Sequence, residues 1–263
     1  MGRAGAIVLT APPMKQIPLG VRIPDRAVFD SFLPARNRQA VEYAVSVADG
    51  TTAGGTVVGA VDIGAAGSGT NVGTPAVTWL CGPASVGKTH LLQAIVARAS
   101  QRGRAGYFPL IELAPLGVGV LEGLTSLDCI CLDDLDQVVG RLDWETSLFG
   151  LLRELQERDG DLVVAVHSPP ALLPWALRDL GSRFAAAAIF QLRELDESEQ
   201  QQALQLHAHV RGFELPDDTA RWLQRRFPRD MRTLYDLLDT LDEAALVAQR
   251  RLTVPFIRSV LKE

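Results

Sequence analysis

The chain has 263 residues, 47% hydrophobic and 22% charged, which is material for one large core or two smaller ones. The net charge of −5 gives no support for a broad, sequence-independent nucleic-acid surface, which needs a basic patch. No apolar run reaches the ~18 residues that span a bilayer, and the three cysteines, an odd number without metal-ligand spacing, argue against a disulfide framework, so the expected compartment is the cytoplasm.

Residues 1–35 read as an extended arm with scattered prolines; the apolar run within MGRAGAIVLTAPPM is too brief for a secretory leader. Ala40, Val41, Ala44, Val45 and Ala48 then recur at helical spacing, with Asn37 as a candidate cap. Residues 50–75 are dense in glycine, threonine and alanine and almost uncharged, the composition of a linker or surface insertion. From Val77 to Leu192 short apolar strands alternate with helices: VTWLCG, a strand within AGYFPLIEL, LDCICLDDL, DLVVAVHS and AAIFQL are the strands. Thr89–Ala99 is one helix, and Trp144–Glu157 is another, with Leu148, Leu151, Leu152 and Leu155 on one face. This pattern predicts an α/β domain over 36–192, a parallel five-stranded sheet covered on both faces. Cys129 and Cys131 fall on one side of their strand and are expected to pack as small hydrophobes. From Arg193 strands stop. Helices are predicted over 197–210, 217–226, 231–249 and 255–261, with Asp217 and Pro255 as start signals, giving a small all-helical domain over 193–263.

The chemistry concentrates at GPASVGKT, which satisfies G-x-x-x-x-G-K-[ST] between an apolar strand and an amphipathic helix. Glycines let successive amides turn inward around phosphate oxygens, and the following helix offers unpaired N–H groups and a positive dipole end. Gly82, Pro83, Ala84, Ser85, Val86, Gly87, Lys88, Thr89 and His90 are therefore the expected nucleotide-binding residues. Lys88 reaches the outer phosphates, and the Thr89 hydroxyl suits Mg2+. At the end of the LDCICLDDL strand, Asp133 is the second candidate magnesium ligand, and Asp134 the group that orients or deprotonates an attacking water. Asp136 reads as a polar strand end that caps the next helix.

These motifs, with FDSFLPARN, LDDLDQV, GSRF and the second-domain stretches LQLHAHVRGFELPDDTARWLQRRFPRDMRTLYDLLDTLD and LTVPFIRSVLK, resemble the AAA+ module of the bacterial replication initiator DnaA. They are most similar to the Hda family of short DnaA-related proteins, from about Lys15 onward apart from the glycine-rich stretch. The resemblance implies an AAA+ P-loop core followed by a helical lid, and ADP or ATP with Mg2+ as ligand. It implies that Arg183 is an arginine finger acting on a neighbouring subunit's nucleotide and Arg232 a lid arginine that senses the chain's own. Phe29 and Phe32 fall on aromatic anchors of the arm or are ordinary core residues, and Asn37 falls near the adenine pocket. KQIPLGV resembles a peptide that docks on the sliding clamp of DNA polymerase III (its beta subunit), with Gln16, Ile17 and Leu19 in the matching positions; Gly20 and Val21 depart from the usual proline and leucine.

The implied function is regulatory inactivation of DnaA by a clamp-bound, nucleotide-loaded protein at the replisome. DNA contact would run through the clamp, and a homo-oligomer is compatible with the fold. The family shows polar and acidic residues at the end of the fourth strand where this chain has Ala165, His167 and Ser168, which lowers the expected intrinsic hydrolysis. No DNA-reading helix-turn-helix follows the lid pattern and no helicase-loading module precedes the core, both expected of the initiator itself. A helicase-loading or initiator-recruiting adaptor is the alternative reading.

Overall fold

The computed structural model describes residues 27–51, 77–228, 230–248 and 252–261. The clamp-peptide candidates Gln16, Ile17 and Leu19 lie outside them, as do residues 52–75 of the glycine-rich stretch.

Five short strands, β1 (Val77–Cys81), β2 (Ala105–Pro109), β3 (Cys129–Asp133), β4 (Asp161–Val166) and β5 (Ala188–Gln191), pair in parallel in the order β2-β3-β4-β1-β5. β1 and β3 are buried along their whole length because helices cover both faces, which is why the strands read as continuous apolar runs rather than alternating ones. On one face Leu80, Cys129, Cys131, Val163 and Ala165 pack against α1 (Arg38–Ala48) and α2 (Lys88–Ala99). On the other, Trp79, Ile130, Leu132 and Val164 pack against α4 (Leu142–Gln156) and α5 (Arg178–Ala185); the short α3 (Leu110–Leu113) follows β2. The cysteines behave as the strand period requires: both lie in the core as free thiols, and burial pushes the Cys131 thiol well above its ordinary range.

The helical domain comprises α6 (Glu197–Val210), α7 (Asp217–Arg226), α8 (Met231–Ala248) and α9 (Val254–Val260), closed around Leu204, Leu223, Leu234, Leu238 and Ile257. Pro255 sits in the first turn of α9, as its fixed φ favours. α7 starts at Asp217 as expected; Pro216 is its N-cap residue, and the Asp217 carboxylate accepts hydrogen bonds from Gln201 and Gln205. α6 opens with a reciprocal cap that the sequence reading passed over, in which the Asp196 carboxylate accepts from the Glu199 amide at 2.9 Å and the Glu199 carboxylate accepts from the Asp196 amide at 2.8 Å. α5 was not anticipated either; SRFA is short and follows a proline-rich loop.

Asn37 does not cap α1 with its side chain. Its amide instead bridges to the junction between the two domains, donating to the Arg193 carbonyl at 2.9 Å and accepting from the Arg193 amide at 2.8 Å. Beside it Arg36 pairs with Asp196 and Glu199. These contacts tie the segment before α1 to the start of the helical domain. Asn37 is buried, so Asn37→Ala strands both Arg193 groups. The expected cost is about 1–3 kcal/mol in urea unfolding; a loss under 0.5 kcal/mol would show the bridge to be dispensable.

Candidate functional site

The phosphate loop leaves β1 at Gly82 and enters α2 at Lys88. Gly82 and Gly87 have φ of 149° and 97°, and space forbids a side chain at either: a Cβ would stand 2.7 Å from the Leu192 carbonyl oxygen at Gly82 and 2.6 Å from the Phe32 ring at Gly87. Phe32 thus packs directly on the loop, with its edge against the His90 ring. Lys88 is buried, and its ammonium donates to the Gly82 and Pro83 carbonyls at 2.7 Å each. Burial lowers its pKa, while the charges of Asp133, Asp136 and Asp134 work the other way.

Across the sheet edge the Thr89 hydroxyl donates to Asp133 Oδ2 at 2.7 Å, and the Tyr107 hydroxyl donates to the same oxygen at 2.9 Å. Asp133 Oδ1 accepts from the Asp134 amide at 3.0 Å. Two hard oxygen donors, from Thr89 and Asp133, beside a buried ammonium form a donor set that fits Mg2+ and phosphate together. Bound there, the metal would neutralise charge on phosphate oxygens; Thr89 and Asp133 would hold it. Asp134 adopts a left-handed conformation with φ of 54°. Burial raises its pKa, the negative charges of Asp133 and Asp136 raise it further, and His167 and Lys88 counter them.

Not every expected residue joins this cluster. The His90 imidazole turns away from the loop to the Val28 carbonyl at 3.0 Å and the Ser31 hydroxyl at 3.2 Å, so only its backbone amide, in the first turn of α2, remains available to phosphate. Burial lowers the pKa of the ring. Arg232 is exposed in the first turn of α8 beside Asp230 and makes no hydrogen bond to the phosphate loop among the described residues. Arg183 lies near the end of α5. Its guanidinium donates to Gln156 Oε1 at 2.9 Å and stands 4.8 Å from the Phe149 ring centroid. Gln156 ends α4 just before β4 begins, and α5 ends just before β5 begins, so both mark the N-terminal edge of the parallel sheet. The phosphate loop occupies the C-terminal edge.

Asp136 is neither a helix cap nor a member of the magnesium set. It accepts from His167 Nδ1 at 2.9 Å and from the His167 amide at 3.2 Å. The histidine at the end of β4 is therefore backed by a carboxylate from the loop after β3, while Ala165 is fully buried and offers no polar group. Sequence reasoning missed this pair, as it missed Tyr107; only the order β2-β3-β4-β1 brings these strand ends together.

Residues 196–261 match the family model of the Hda lid domain. The whole fold, an AAA+ core with its lid, is similar to domain III of the replication initiation protein DnaA from Thermotoga maritima, with a TM-score of 0.68, 20% identity, and 91% of this chain and 97% of that one covered. AMPPCP-bound DnaA from Aquifex aeolicus aligns with a TM-score of 0.60 and 19% identity over 84% of this chain and 66% of that one. The RuvB Holliday junction branch migration motor of Thermotoga maritima aligns with a TM-score of 0.55 and 16% identity over 86% and 67%. The AAA+ core carries generic capacity for ATP or ADP with Mg2+, and no helix among the described residues is long and apolar enough to cross a membrane.

Lys88→Ala removes the ammonium and leaves the loop conformation to its glycines. Mg-ADP at 100 times its dissociation constant stabilises a binding-competent chain by about 2.7 kcal/mol. Lys88→Ala is expected to lose most of that thermal shift, and an undiminished shift would remove Lys88 from the site.

Proposed function

We propose that this chain is a regulatory inactivator of the replication initiator DnaA: carrying its own nucleotide, it places Arg183 at the γ-phosphate of ATP held by the initiator and promotes hydrolysis there. The observation that carries this reading is the separation of Arg183 from its own phosphate loop. An exposed guanidinium at the opposite edge of the sheet, braced by Phe149 and Gln156, is suited to a neighbour's nucleotide and not to its own. The match to the Hda lid and the similarity of the fold to DnaA domain III support the choice of partner.

The bound nucleotide acts as a switch, with ADP the working form. Buried Ala165 in β4 and the His167–Asp136 pair stand where a hydrolytic site of this family carries free polar groups, which suits slow turnover in cis. Gln16, Ile17 and Leu19 dock the arm on the DNA-loaded clamp, which concentrates the chain at the replisome, so DNA contact is indirect. Arg232 senses the chain's own nucleotide when the lid closes.

Arginine fingers supplied in trans raise GTPase rates about 10³–10⁵-fold. Initiator loaded with ATP, mixed with this chain and DNA-loaded clamp, should release ADP faster, and Arg183→Ala should lose at least two decades of that stimulation. Gln16→Ala should abolish the dependence on clamp. A wild-type chain that leaves the initiator's ATP untouched would overturn the reading.

A further inference from the structure

Glu145 is a carboxylate with no solvent exposure, in the first turn of α4. Buried charge is tolerated only when hydrogen bonds replace its water. Here they come from backbone on two separate loops. Oε1 accepts from the Gly140 amide at 2.6 Å and from the Ala176 amide at 3.2 Å, and Oε2 accepts from the Leu177 amide at 2.5 Å. All three donors are N–H groups, so an ionised carboxylate, which only accepts, matches them and a side-chain amide does not. The α4 N-terminus favours the negative charge as well.

Leu177 is the N-cap residue of α5, and its carbonyl accepts from the Leu180 amide to start that helix. Glu145 therefore grips α5 at its entry. The far end of α5 is held by the same helix: Phe149, one turn beyond Glu145, lies under the Arg183 guanidinium, and Gln156 accepts from it. Next to Arg183, Phe184 packs on Trp79 and Trp175. α4 thus holds α5 at both ends, and the carboxylate is the polar anchor that sets where the helix begins.

We infer that Glu145 is the positioning residue for Arg183, fixing the entry of α5 so that the guanidinium stands where a partner's γ-phosphate is met. This rests on the proposed role of Arg183. Arg183 touches the partner's nucleotide; Glu145 touches none and acts through α5. Gly140, on the loop that follows β3, shares the same carboxylate, so the loop after the Asp133 strand and the entry of the helix bearing Arg183 are tied to one side chain.

The test uses the full chain, wild type, Arg183→Ala, Glu145→Gln and Glu145→Asp, with ATP-loaded initiator and DNA-loaded clamp. Glu145→Gln presents an NH2 to a cluster of donors; Glu145→Asp keeps the charge but shortens its reach by one methylene. Both folded variants are expected to lower the maximal rate of initiator ATP hydrolysis at least 10-fold. The half-saturating concentration and the chain's own ADP affinity should stay within twofold of wild type. A general loss of structure would move all three together, and that result overturns the inference. It is also overturned if a folded variant keeps its maximal rate within twofold, or if neither variant folds, since Glu145 is then a determinant of the fold alone. If wild type stimulates hydrolysis and Arg183→Ala does so equally, the proposed finger has failed independently of Glu145.

Discussion

All five strands run parallel, and that constraint separates the chemistry of this molecule into two edges. Every strand must end at the same side, so the loop after β1, the acidic end of β3 and the histidine at the end of β4 converge there without further instruction. Every helix must return to the other side, and the residues closing α4 and α5 gather at the opposite edge. Lys88, Thr89, Asp133 and Asp134 belong to the first edge and Arg183 to the second. In the proposed function, a chain built this way holds a nucleotide with one edge and offers a cation to a neighbour with the other.

Between the edges, polar side chains and not apolar area set the relative placement of parts. The two sheet faces are packed by aliphatic and aromatic side chains, whose burial is a non-directional driving force. Asn37 reading both groups of Arg193, Arg36 on the α6 cap, and Glu145 on three amides each have one geometry that satisfies them. The segment before α1 is bound on two sides: Phe32 lies on Gly87 and His90, and partly buried Leu33 packs on the helical domain. Phe32 and Leu33 thus place this segment in contact with the phosphate loop and with the helical domain at once.

Most of the fold was legible because its signals are local. Continuous apolar runs of five or six residues give buried parallel strands, and the α6 and α7 bounds follow the amphipathic pattern closely. The phosphate loop was legible because glycine, lysine and threonine at that spacing answer to backbone sterics and phosphate geometry together. Three features escaped for one reason. Tyr107 on Asp133, Asp136 on His167 and Glu145 on the α5 entry join residues 26, 31 and 31–32 positions apart, and nothing local marks them. Glu145 looks like any first-turn acid in an amphipathic helix until burial is known. Asn37 differs in the opposite sense, since it has the composition of a cap but its side chain is engaged by a tertiary partner. His90 belongs to the motif by spacing, yet its side chain follows the packing of Val28 and Ser31.

The central claim is that hydrolysis occurs in the partner, with this chain's own nucleotide held as a switch. The most direct measurement loads γ-labelled ATP on the initiator alone and unlabelled ADP on this chain. The two are mixed with DNA-loaded clamp, and labelled phosphate is followed in a single turnover. The account predicts fast release of label with the ADP on this chain unexchanged. Release that requires this chain to carry ATP, or label that leaves only after transfer to it, would contradict the account.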